Sequence, residues 1–269
     1  MRKEQTGRGQ SYTSRVRESR MSVMAVAGLI VLGIGIGLGC VGFLVYKGMA
    51  RSDFFQITAI RIEGCRRITK KEILELSGVD VHSNLLALKV ETVQQQIGAH
   101  AWVDRAEVKR LWPNRLQITV KERKPVALVN LKDGLHYVDQ QGVIFAAPLP
   151  PDDIDFPVIS GVGPEAKGMA NSEALADALD FIGYASLGNA ILPKQNISEL
   201  RVDARGGLIL FLADRPFPVH LGRERLRTKY YQLTRVLHWL YAHKRFDATA
   251  SIRMDYQPDK VLVALAGMV

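Results

Sequence analysis

The most pronounced pattern in the sequence is an apolar run near its start. It extends from Val23 to Tyr46 without a charged residue, and Lys47 and Arg51 follow it. As a helix, residues 23–46 would be roughly 36 Å long, which is enough to cross a hydrocarbon core of ~30 Å. The pattern therefore predicts a single transmembrane helix after a basic tail, residues 1–22.

Five short elements are predicted between residues 55 and 124. The spacing of apolar residues and the caps gives, in chain order, a strand at 57–63, a helix capped by Thr69 and Glu72 and ended at Gly78, a helix at 89–97, and strands at 103–111 and 116–122. In this β-α-α-β-β order two helices can cover one face of a sheet. The pattern predicts a small α+β domain.

Residues 125–269 have the pattern of a larger domain rich in short strands. The predicted strands are at 126–130, 135–138, 143–146, 197–202, 208–212, 219–221, 251–256 and 261–265, and the predicted helices are at 172–186 and 223–243. These elements predict a mixed β domain with flanking helices. The fold class of the whole chain is therefore α+β, with one membrane helix in front.

Charge decides the orientation of the predicted membrane helix. Residues 1–20 contain six basic and two acidic side chains, which favours a cytoplasmic N-terminus. Much of the net charge of +9 lies in this tail, so nucleic acid is not indicated as a partner. A cleaved signal peptide, ending near Ala50, and a lipoprotein at Cys40 stay open as alternatives. The length of the apolar run favours an uncleaved anchor.

Candidate chemistry is sparse. The sequence has no zinc-protease, paired-cysteine, nucleophile-elbow or nucleotide-loop motif. Asp152, Asp153 and Asp155 could in principle bind Ca²⁺, but a solvated loop is the simpler interpretation because no further ligands are suitably spaced. The three tryptophans, at positions 102, 112 and 239, are expected to fill cores. We predict no enzymatic activity, cofactor, metal or small-molecule substrate.

One long run of residues resembles the signature of the FtsQ/DivIB family of bacterial cell-division proteins. The run reads Trp102-Val103-x-x-Ala106-x-Val108-x-Arg110-x-Trp112-Pro113-x-x-Leu116-x-Ile118-x-Val120-x-Glu122-Arg123-x-Pro125-Val126-Ala127. Two later landmarks are similar to those of the family, Val138-Asp139-x-x-Gly142 and Leu221-Gly222-Arg223-Glu224. The resemblance extends over essentially the whole chain.

The resemblance implies a POTRA domain at 55–124 and an FtsQ-type β domain at 125–269. It also implies a non-enzymatic, single-pass scaffold of the cell inner membrane at the division septum. Such a scaffold links early and late division proteins and recruits FtsB and FtsL, ahead of the septal peptidoglycan synthase. Two alternatives remain. An extracytoplasmic cell-wall enzyme would need a catalytic constellation, and a POTRA-type outer-membrane assembly or transport factor would need a membrane β-barrel.

The resemblance also implies a partner-binding surface on the last strands, at about 251–265. Tyr256 falls where the family has a tyrosine in its partner-binding strand, and Arg223 falls where it has an arginine at the start of the last helix. The predicted surface is completed by Ile252, Met254, Val261 and Val263. A terminal strand would provide an open edge for strand addition. The alternative is that Tyr256 covers the core and Arg223 is a solvated charge.

Overall fold

The secondary structure of the protein follows the predicted order. The computed structural model describes residues 12–49, 53–150, 152, 154–162, 173–257 and 260–266. The helices are α1 (Tyr12–Met49), α2 (Lys70–Ser77), α3 (Val90–Gly98), α4 (Glu173–Ala185) and α5 (Leu226–Ala242). The strands are β1 (Ala59–Glu63), β2 (Val103–Leu111), β3 (Arg115–Glu122), β4 (Pro125–Leu131), β5 (Gly134–Asp139), β6 (Val158–Ser160), β7 (Ile197–Val202), β8 (Leu208–Leu212), β9 (Pro218–Gly222), β10 (Thr249–Gln257) and β11 (Lys260–Leu265). The predicted α+β class is confirmed.

The chain divides into two compact units. The first unit comprises Met1–Glu63, Thr69–Ile97 and Ala106–Thr119. The second unit comprises Gly64–Ile68, Gly98–Arg105 and Val120–Val269. Each unit therefore collects segments that are separated in the sequence.

Helix α1 contains the predicted membrane segment and continues beyond it on both sides. Its stretch Gly28–Val45 is 18 residues long, has a mean hydropathy of 2.5 and is not buried by any other part of the structure. By length and composition α1 can cross a membrane. Residues 1–11 of the predicted basic tail lie outside the described residues.

The first sheet has three strands in the order β1-β3-β2. Strands β1 and β3 run parallel, with Ala59 opposite Arg115. Helix α2 has both predicted caps, since the Thr69 hydroxyl accepts a hydrogen bond from the Glu72 amide (3.2 Å) and Gly78 has a φ of +61°. The β-α-α-β-β order is thus confirmed.

Strand β1 begins two residues later than predicted, at Ala59. The preceding amides bond elsewhere: Ile57 N donates to Ser83 O and Thr58 N donates to Asn114 O, each at 2.9 Å. Ile57 is nevertheless fully buried. The apolar pattern therefore located a core residue correctly but not the start of the ladder.

The second sheet has eight strands in the order β11-β10-β9-β8-β7-β6-β4-β5. It is mixed, because β4–β6, β6–β7 and β9–β10 are parallel pairs and the other neighbours are antiparallel. Helices α4 and α5 pack against each other. The shared core includes Phe181, Leu210, Val219, Leu233 and Leu237. Strands β11 and β5 are the two outermost strands of this sheet.

Three predictions in this region need correction. The segment 143–146 forms an isolated bridge, Val138 with Ile144, instead of a full strand. Strand β6 was not predicted, because three residues beside Pro157 show no alternation that could be recognised. Helix α5 begins at Leu226 and not at Arg223, because Arg225 takes a left-handed φ of +55° that a helix cannot contain.

Glu122, at the end of β3, receives several backbone hydrogen bonds within the second unit. Its Oε1 accepts from the amides of Arg66 (2.8 Å), Arg67 (3.0 Å) and Ile68 (3.0 Å). Burial alone would raise the pKa of this carboxyl, but the three amides outweigh it and the pKa lies below its usual 4.5. The carboxylate form thus holds the segment after Gly64 in place.

We expect Glu122→Gln to remove a pH-dependent part of the stability. A depressed folded pKa contributes stability that is complete above the unfolded pKa and is lost as pH falls through the folded value. In urea titrations of the full-length protein in detergent, the variant should be less stable by about 1–3 kcal/mol at pH 7. The difference should shrink below about pH 4.5. Glu107→Gln, on an exposed carboxylate paired with Lys109, is the control. Parallel pH curves for Glu122→Gln and wild type would contradict the prediction.

Candidate functional site

The outer edge of β11 is open within the described part of the chain. Strand β5, at the other end of the eight-stranded sheet, is partly covered, because Tyr137 N donates to Ala146 O (2.7 Å) and Phe145 N donates to Tyr137 O (3.1 Å). Strand β11 pairs with β10 on one side, and among the described residues no segment bonds to its other side. The alternate residues of β11 whose amides and carbonyls point away from β10 therefore present unpaired backbone groups to solvent.

The residues predicted for partner binding occupy different environments on β10 and β11. The side chains of Ile252 and Met254 are buried in the core, so only their backbone can contribute to a surface. Val261 is half-buried and packs against that core. Val263 and Tyr256 are exposed, and Tyr256 is 72% exposed. The structure thus excludes the alternative that Tyr256 covers the core.

The ladder between β10 and β11 is irregular beside Tyr256. Between the pairs Arg253–Leu262 and Gln257–Lys260, three residues of β10 oppose one residue of β11. If side chains alternated strictly along β10, Tyr256 would face the core, as the residues two and four positions before it do. The ring is nevertheless exposed, at the point where the ladder departs from regular pairing.

The sixth predicted residue, Arg223, lies between β9 and α5. Its Nη2 is 2.6 Å from Oε2 of Glu173 on α4, and both side chains are exposed. Beside it, a Cβ at position 222 would lie 3.3 Å from the Cβ of Asp255. This short distance shows that Gly222 and Asp255 are neighbours. Arg223 follows Gly222 and Tyr256 follows Asp255, so both predicted residues lie at the same end of the sheet. An exposed ion pair is weak, so Arg223 can exchange Glu173 for another carboxylate.

The charges around this contact are compensated. Asp255 accepts from Nη2 (2.9 Å) and Nε (3.2 Å) of Arg253, and this bond lowers the pKa of the aspartate. Lys229 on α5 is buried and donates to Leu221 O at 2.5 Å. Burial lowers the pKa of Lys229, while Glu224 and Asp255 oppose that shift. Tyr256 and Arg223 are both exposed beside these groups.

A groove between α5 and β11 was not predicted. It has a volume of about 480 Å³ and is lined by Gln232, Arg235, Val236, Trp239, Val261 and Val263. Trp239 is 48% exposed and stacks on His243 with ring centroids 4.4 Å apart. Its expected place in the core was therefore wrong. The sequence held a signal, because Trp239 falls between Leu237 and Leu240 and so lies off the buried stripe.

Asp152, in the acidic loop after β5, has a structural role. Its Oδ2 accepts from Arg67 (2.5 Å), from the Leu149 amide (2.8 Å) and from the Tyr137 hydroxyl (3.1 Å). The Arg67 guanidinium also lies 3.9 Å from the ring centroid of Trp102. Asp153 lies outside the described residues. Within the described part of the chain, no group of three metal-ligating side chains occurs.

Comparison with known proteins agrees with this architecture. Residues 55–123 match the family described as "POTRA domain, FtsQ-type", and residues 127–253 match "Cell division protein FtsQ/DivIB, C-terminal". The second match ends before Tyr256 and β11.

Full-length relatives extend the match. The cell division protein FtsQ of Geotalea daltonii is 32% identical over 84% of this chain and 82% of its own length. That of Anaeromyxobacter sp. (strain K) is 32% identical over 94% of this chain and 85% of its own. A POTRA domain, the β domain behind it and one apolar N-terminal helix occur together in this chain, which belongs to the FtsQ/DivIB family of cell-division proteins.

Proposed function

We propose that this protein is a non-enzymatic, single-pass scaffold of the bacterial divisome that binds FtsB, and with it FtsL, through its last strand. In this proposal α1 crosses the cell inner membrane with its basic N-terminus in the cytoplasm, and both folded domains lie on the other side. The protein then acts at the division septum, where it brings its partners to the peptidoglycan synthase. Family membership and the anchor-like helix support this role.

The open edge of β11 carries the proposal. A partner segment that extends alongside β11 can satisfy the amides and carbonyls of β11 that point away from β10. The opposite end of the sheet cannot offer an equal surface, because the segment after β5 already bonds there. Backbone pairing depends little on side-chain identity, so it accommodates differences among family members.

Selectivity would come from side chains beside that edge. Alternate residues of an added strand face α5, where Trp239 and Val263 line the groove with apolar surface. Helix α5 contains no aspartate or glutamate, and Arg235 is exposed at the same groove. We therefore expect the bound segment of FtsB to have apolar residues at alternate positions and an acidic residue that reaches Arg235.

Two adjacent proline substitutions test strand addition. Successive amides of a strand point to opposite sides, so one of Leu262 and Val263 donates towards β10 and the other towards the open edge. Proline at the outward amide removes one donor from the partner surface and leaves the β10 ladder intact. We expect that variant to keep its melting temperature and to bind FtsB at least about tenfold more weakly.

The second proline variant serves as the internal control. It should lower the melting temperature, because it removes a bond between β10 and β11. Binding is measured by calorimetry with full-length protein in nanodiscs and the extracytoplasmic part of FtsB. If the variant that retains its melting temperature binds FtsB as tightly as wild type does, the edge of β11 is not the binding surface.

A further inference from the structure

Exposed aromatic side chains cluster where the chain leaves α1. Between residues 53 and 123 the exposed large apolar side chains are Phe54, Leu74, Val81, Leu111 and Trp112. Three of these five belong to one end of the first unit. Phe54 is 65% exposed and Trp112 is 56% exposed. Leu111 directly precedes Trp112 where β2 ends and the chain turns towards β3. We refer to Phe54, Leu111 and Trp112 as the aromatic tip.

Several contacts connect the two parts of the aromatic tip. The ring of Phe55 meets Phe54 and Trp112 edge-to-face, with centroids 5.1 Å and 5.9 Å apart. Thr58 N also donates to Asn114 O at 2.9 Å, which joins the strand after Phe55 to the β2–β3 connection. The turn between β2 and β3 is therefore held against the segment that follows α1.

The chain length limits how far this tip can lie from the membrane surface. From Val45, the last residue of the apolar stretch, to the end of α1 at Met49 the helix rises about 6 Å. Five further residues reach Phe54, and an extended chain covers at most about 18 Å over that distance. Phe54 is thus at most about 24 Å from the end of the apolar stretch, which allows it to reach the headgroup layer, and Trp112 is linked to it through the ring of Phe55.

From this placement we propose that the aromatic tip inserts into the interfacial layer of the membrane that α1 crosses, and so holds the first unit against the lipid surface. Tryptophan and phenylalanine favour this layer because their apolar rings can enter it without leaving polar groups unsatisfied. The exposed Lys47 precedes the tip and the exposed Arg115 follows it, so anionic headgroups suit its surroundings. This contact is independent of the surface proposed for FtsB.

Tryptophan quenching by brominated lipid tests the proposal in the full-length protein. The protein is reconstituted in vesicles of phosphatidylcholine and phosphatidylglycerol, with the bromine either near the headgroup or at the chain end. We expect bromine near the headgroup to quench up to about one third of the emission, the share of one tryptophan among three. Bromine at the chain end should quench less, because an interfacial ring does not reach the bilayer centre.

Two conservative variants identify the quenched residue. Trp112→Phe should abolish most of the quenching, whereas Trp239→Phe, which changes the other exposed tryptophan, should retain it. Phe54→Ser should reduce the quenching of Trp112 by weakening insertion of the tip. Absence of quenching in wild type, or quenching that persists in Trp112→Phe, would overturn the proposal. Trp112 that is unquenched in vesicles and becomes shielded only when a division partner is added would overturn it as well.

Discussion

Gly64→Ala should lower the stability of the protein by about 4 kcal/mol, one of the largest effects that a single methyl group can have. Gly64 follows β1 and has a φ of +88°, which costs an L-residue roughly 1–2 kcal/mol. A Cβ at this position would also lie 1.9 Å from the backbone oxygen of Val120 on β3. Since the obstructing atom belongs to a buried strand, the strand itself has to shift.

Gly188→Ala separates the two causes. Gly188 has nearly the same φ, +86°, but a Cβ there meets nothing within 4 Å. It should therefore show only the conformational cost, about 1–2 kcal/mol, reduced by the lost freedom of the unfolded chain. In thermal melts of the full-length protein in detergent, we expect a decrease of roughly 8–16 °C for Gly64→Ala and less than about half of that for Gly188→Ala. Equal decreases would show that the contact with Val120 O has no effect.

The sequence predicted the regular elements well, because their causes are local. The cap at Thr69 and the left-handed Gly78 are both present, since each depends only on neighbouring backbone groups. Strands β7 and β8 have the predicted bounds, and buried and half-buried side chains alternate throughout β8. Strand β6 was missed, since it has three residues and is defined by its neighbours β4 and β7.

The candidate site was less predictable, because its features depend on tertiary contacts. No local pattern marks the exposure of Tyr256, which occurs where the register between β10 and β11 is irregular. The groove at Trp239 requires the placement of β11 beside α5. Exposure of Trp112 was missed for another reason: a tryptophan is usually buried, and only the position of the tip shows that this one is not. Tyr256 and Arg223 were found through resemblance to a family and not through their own chemistry.

Tyr256→Ala should weaken FtsB binding by ~2 kcal/mol or more, about thirtyfold, with an almost unchanged melting temperature. The ring is 72% exposed, so its removal leaves no cavity in the core. A partner that covers the exposed ring would desolvate it, and a desolvated aromatic side chain contributes strongly to affinity. Tyr256→Phe should retain most of the affinity if the ring, and not the hydroxyl, makes the main contact.

Leu187→Ala provides the matched control for Tyr256→Ala. Leu187 is 76% exposed in the loop after α4, so its truncation also removes solvated apolar surface. It lies outside β10, β11 and the groove at Trp239, and we expect it to leave FtsB binding unchanged. Calorimetry and thermal melts of both variants distinguish the interpretations. A Tyr256→Ala protein that binds FtsB normally, or loses affinity only in proportion to lost stability, would place the partner surface elsewhere. A thirtyfold loss confined to Tyr256→Ala would show that the exposed ring of Tyr256 contacts the partner directly.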